Sequence, residues 1–141
     1  MQLMKNIRLW ASAIVALCTT AVVAQTTGAT LTVGSIEGAA GKEVSVPLYL
    51  TNAEEVVGVQ FDVELPYALT SGIVLSENRK DDHTVNYKKI DTNKYTVTVM
   101  SFNNRSIKGN SGLLMRLPMT VAEDAQPDGT LDPMTLTNIV L

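Results

Sequence analysis

Cysteine, histidine and tryptophan each occur once in these 141 residues, and phenylalanine only twice. The lone cysteine, Cys18, sits near the N-terminus, so no internal disulfide can form and stability must come from an apolar core. With no second cysteine, and no serine in a nucleophile elbow, the residues for covalent catalysis are missing. His83 follows Asp81 and Asp82. A histidine beside acids can serve as a base or a metal ligand, but at the edge of a polar loop the expectation is an exposed, unengaged ring. Trp10 lies close to Cys18. A sugar platform of flat exposed rings would therefore have to come from Tyr49, Tyr67, Tyr87 and Tyr95, and no such platform is evident. Basic residues are outnumbered, eleven Lys and Arg against fourteen Asp and Glu. This excludes the phosphate-neutralising surface of a nucleic-acid binder and disfavours anionic membrane surfaces.

The first 24 residues read as a leader. Lys5 and Arg8 make a short basic start, Leu9–Leu17 is apolar, and Ala21-Val22-Val23-Ala24 ends in small residues before Gln25. This is the layout of a secretory signal peptide cleaved after Ala24. Its apolar stretch is shorter than the roughly 20 residues that span a bilayer, so no membrane insertion is expected once it is removed. Lipidation at Cys18 is the alternative, although Leu17 is larger than the residue such sites usually carry. The expected organisation is a signal peptide over 1–24 and one domain over 25–141, 117 residues with a net charge of −5. The expected location is outside the cytoplasm, either secreted or at the cell surface.

The clearest positive signal is alternation. Val44, Val46, Leu48 and Leu50 alternate with Ser45, Pro47, Tyr49 and Thr51; Val57, Val59, Phe61, Val63 and Leu65 alternate with Gly58, Gln60, Asp62 and Glu64. A period of two marks strands with one face in a core and one in water. Further strands are expected over 31–36, around 72–76, and over 83–90, 95–102, 112–122 and 134–141. A hairpin turn at Asp91–Lys94 joins two of them, and Pro47 suggests an edge or a bulge. No stretch carries a helical period. Some eight short strands between turns predict an all-β antiparallel sandwich. The chain stops within the strand-like run Thr137–Leu141, which suggests that a strand pairing with 31–36 is missing.

Two acidic groups were weighed as chemistry. Asp62 and Glu64 share a strand face, but an open face does not bury a carboxyl as glycoside hydrolysis requires. They read as a solvated or recognition surface. Asp124, Asp128 and Asp132 recur every four residues, which does not fit the ligand spacing of an EF-hand calcium loop.

The order of segments resembles the cohesin family and its relatives among carbohydrate-binding modules, in the style of secreted Bacteroidetes proteins. The resemblance runs over about residues 30 to 141. It is carried by Leu31-Thr32-Val33-Gly34 followed by Gly41–Leu48, by Val57–Pro66, by Tyr95–Phe102, by Ser111–Leu117 and by Leu136–Leu141. It implies a jelly-roll sandwich of about nine strands and a non-catalytic secreted domain. The implied partner is a dockerin-like protein held on a sheet face, in an assembly of the polysaccharide-degrading kind. The implied site residues are Gly58, Gln60, Asp62 and Glu64. Gln60 stands where the family often has Asp, and Gly58 where it often has Asn. No cofactor is implied for the chain itself; calcium would enter with a dockerin-type partner. A polysaccharide ligand and a spacer role within a larger surface protein are the alternatives.

Overall fold

The structure is a computed structural model and describes residues 21–23, 28–34, 36, 38–125 and 134–141. Nine strands follow one another: β1 (Ala21–Val23), β2 (Thr30–Val33), β3 (Glu43–Thr51), β4 (Val59–Glu64), β5 (Val74–Leu75), β6 (Thr84–Asp91), β7 (Lys94–Met100), β8 (Leu113–Thr120) and β9 (Thr135–Val140). They form two antiparallel sheets, ordered β1-β2-β3-β8-β5 and β6-β7-β4-β9. No helix occurs among the described residues.

The alternation read from the sequence becomes the two faces of each sheet. Along β4, Val59, Phe61 and Val63 are buried while Gln60 and Glu64 are exposed and Asp62 is half-buried. Tyr95, Val97 and Val99 of β7 lie on the same inner face. Opposite them, Leu31 and Val33 of β2, Val46, Leu48 and Leu50 of β3 and Leu117 and Met119 of β8 complete the core. Full burial of a side chain such as Phe61 or Leu48 contributes about 2–3 kcal/mol, which lets this core hold without a disulfide.

Several strands are shorter than their alternating runs. The run 57–65 forms a strand only from Val59, and 31–36 only to Val33. The turn at 92–93 is tight, with Asn93 at φ 57°, a left-handed conformation that asparagine tolerates. Tyr87 and Tyr95 meet edge to face at 6.1 Å. Their contact is diagonal, because Tyr87 pairs with Val97 and Tyr95 with Lys89.

Pro47 corrects an expectation. It lies inside β3, a central strand paired on both sides, not at an edge. Its carbonyl accepts from the Gly34 N–H at 2.9 Å, just past the last β2 pair, Val33 with Leu48. The missing proline N–H therefore falls where β2 has already ended. The expected bulge is present one step away, between Leu48 and Tyr49.

The predicted leader lies outside the described residues except for Ala21–Val23, which pair antiparallel with the outer edge of β2. Asp128 and Asp132, weighed as calcium ligands, also lie outside the described residues. No group of three acidic, histidine or cysteine ligands occurs among the described residues.

Candidate functional site

The outer face of the four-stranded sheet gathers three of the four residues singled out in the sequence. Register places them in rows across the strands. Asn86, Thr98, Gln60 and Val140 form one row, and Lys88, Thr96, Asp62 and Thr137 the next. Lys94, Glu64 and Thr135 form a third. The result is an open face of threonines, amides and charges of both signs. Gln60 and Glu64 are exposed on it.

Asp62 differs from its neighbours. The hydroxyl of Thr96 donates to Oδ1 at 2.6 Å, and the amide of Asn138 donates to Oδ2 at 2.7 Å. These two bonds, with Lys94 adding a smaller attraction, hold its carboxyl below the usual range. Asn138 reaches Asp62 because β9 breaks register between the partners of Gln60 and Asp62, and Asn138 itself takes φ 53° there. Asp62 is thus oriented by the fold, whereas Gln60 and Glu64 extend into solvent.

Gly58 borders the first row of this face, in a groove shared with Gln60, Thr98 and Val140. It precedes β4, where an added Cβ would come within 3.2 Å of the Val99 carbonyl. It lines a shallow groove of about 490 Å³ with Val56, Val57, Val99, Val140 and Leu141.

At one end of the face the chain leaves β7 through a turn held by Asp82. Ser101 Oγ and Asn103 Nδ2 donate to the two Asp82 oxygens, each at 2.7 Å. Ser101 Oγ also accepts the backbone N–H groups of Asn103 and Arg105. Arg105 pairs with Asp81 at 2.9 Å. This fixed turn leaves Phe102 80% exposed, two residues beyond the exposed Met100. An exposed aromatic on a rigid turn is the type of residue that anchors protein interfaces. The alternation over Tyr95–Phe102 predicts one continuous strand, but β7 ends at Met100 and Phe102 lies in the turn.

Two buried polar groups were also missed. Arg79, in the polar loop that precedes His83, is buried at 3% exposure. Its five donors reach the carbonyls of Lys108, Leu50, Gly112 and Gly109 and the side-chain oxygen of Asn52. No carboxylate is among them, and desolvation pushes the guanidinium pKa down. The group remains a cation and binds three loops at one end of the sandwich. His83, expected to be exposed, is buried as well. Beside these loops lies an open polar cleft of about 570 Å³, lined among others by Glu54, Glu55, Arg105 and Lys108.

Comparison with known proteins fits this geometry. The profile of the cohesin domain matches residues 29–139, which is most of the chain. The chain belongs to the cohesin family. This domain is a non-catalytic protein-docking module. A solved structure with the same fold is a non-cellulosomal cohesin from the hyperthermophilic archaeon Archaeoglobus fulgidus. It is 18% identical, with a TM-score of 0.51 over 71% of this cohesin and 67% of that chain. No curated protein matches the sequence.

Proposed function

We propose that this cohesin is a secreted attachment domain that holds a dockerin-like protein on the outer face of its four-stranded sheet, within an assembly of the polysaccharide-degrading kind. The observation that carries the reading is the row structure of that face. Gln60, Glu64 and Lys88 are exposed on it, and Asp62 is held in one orientation by Thr96 and Asn138. Pre-oriented polar groups lose little entropy on docking and set orientation and specificity. Phe102 and Met100 at the rim supply apolar area. Any calcium belongs to the partner, and the leader over 1–24 supplies the route out of the cytoplasm.

The test is a pull-down from the organism's own secreted proteins, with and without calcium, comparing the wild type with a Gln60→Ala/Glu64→Ala variant. A calcium-dependent protein partner lost in the variant is the expected result. Retention on polysaccharide with no protein partner would overturn it.

A further inference from the structure

We infer that His83 sits in the fold as a doubly protonated imidazolium, a proton-dependent pin between the 76–83 turn and the segment leading into β4. The side chain is fully shielded from solvent. Nδ1 lies 2.8 Å from the carbonyl oxygen of Lys80, and Nε2 lies 2.7 Å from the carbonyl oxygen of Val57. A carbonyl oxygen can only accept. A neutral imidazole carries one N–H and one bare lone pair, so either neutral tautomer would set that lone pair against an oxygen at hydrogen-bond distance. Only the doubly protonated ring donates to both.

The two carbonyls belong to segments far apart in sequence. Lys80 is three residues from His83 and also accepts its backbone N–H at 2.7 Å. Val57 is 26 residues away and directly precedes Gly58 and β4. The ring therefore ties the turn to the approach of the docking strand.

A buried cation is favoured by hydrogen-bond acceptors and by nearby negative charge. Asp82 Oδ1 lies 3.9 Å from Nδ1. Hydrogen bonds from Ser101 and Asn103 keep this carboxyl below the usual range, and the positive charges of Arg105 and His83 add smaller contributions. Arg79, on the same turn, donates to carbonyls and to Asn52 alone, and other charged groups nearby are paired. Arg105 pairs with Asp81, Lys80 pairs with Glu77, and Glu55 accepts from Ser106.

Asp82 also clamps the turn that presents Phe102, so the proton on His83 bears on one rim of the docking face. Two carbonyl acceptors favour the charged form of the ring in the fold, so the pin holds while both ring nitrogens carry protons. The inference concerns the fold itself and stands whatever partner the face takes.

The chain has one histidine, so its ring nitrogens can be read without ambiguity. The experiment is a long-range proton–nitrogen correlation on the ¹⁵N-labelled protein between about pH 5.5 and about pH 8.5, with backbone amide shifts followed in the same series. Both ring nitrogens are expected to carry protons at about pH 7. One ring N–H should then disappear at higher pH, and the amides of Gly58 and Asn103 should shift with the same midpoint. A bare ring nitrogen at about pH 6 in the folded protein overturns the inference, as does a titration that leaves those amides unmoved. A His83→Gln variant, followed by urea unfolding, should lose the fall in stability with rising pH that the wild type shows; equal slopes also overturn it.

Discussion

The amide of Asn138 donates to Oδ2 of Asp62 at 2.7 Å, joining residues 76 positions apart. With Thr96 on the other oxygen, this bond links β9 to β4 and β7 across the proposed docking face. One of the residues that the resemblance implies as a partner contact is thus also a fastener of the sheet.

Asn138 carries two roles that substitution separates. Asn138→Gly keeps the backbone at φ 53° but deletes the hydrogen bond, and should cost about 0.5–1 kcal/mol after allowance for solvent screening. Asn138→Ala should cost more, because a Cβ also disfavours that φ. Urea unfolding of the two variants checks the order, and hydrogen exchange should show β9 amides losing protection first.

Acid should act on the same fastener. The folded Asp62 carboxyl titrates below its unfolded value because Thr96 and Asn138 donate to the charged form. Its stabilisation is present above the unfolded carboxylate pKa of about 4 and is lost as the pH falls through the lower folded value. A circular-dichroism acid titration should therefore show Asp62→Asn losing less stability than the wild type below about pH 4.

Arg79 is expected to be the most sensitive polar position. Arg79→Met would take a donor from the buried carbonyl of Leu50, from the buried side-chain oxygen of Asn52 and from the half-buried carbonyls of Lys108 and Gly109, for a loss of about 3 kcal/mol. Arg79→Lys should recover little, since one ammonium cannot span five acceptors set in a planar fork. Urea midpoints of both variants measure this.

The two faces of β4 should respond in opposite ways. Val59 and Phe61 are buried, and an aspartate at either place would bury an unpaired charge at a cost comparable to the stability of the whole domain. Neither variant should show a cooperative melt. Gln60→Ala, on the exposed face, should stay within about 0.5 kcal/mol of the wild type. Thermal unfolding of the three variants tests the assignment.

What could be read in the sequence was local. Alternation along 44–51 and 57–65 identified β3 and β4, their buried faces and the exposure of Gln60 and Glu64, because side chains on a strand alternate regardless of what pairs with it. Strand ends were less legible: β4 begins at Val59, not at Val57, since pairing is decided by where the neighbouring strands stop. Gly58 lies just before the strand, in a groove that it lines together with Gln60, Thr98 and Val140 of the face.

The sequence by itself determined the class of the protein: an all-β chain, without disulfide-forming cysteines or a nucleophile constellation, with an alternating pattern that commits each strand to one buried face. Tertiary structure decided which polar residues are structural. Arg79, His83 and Asn52 look like loop residues in one dimension, yet their hydrogen-bonding groups are met by carbonyls and side chains from remote segments. The physical reason is that apolar burial follows from local periodicity, whereas burial of a polar group is tolerated only where distant parts of the chain supply its hydrogen-bond partners.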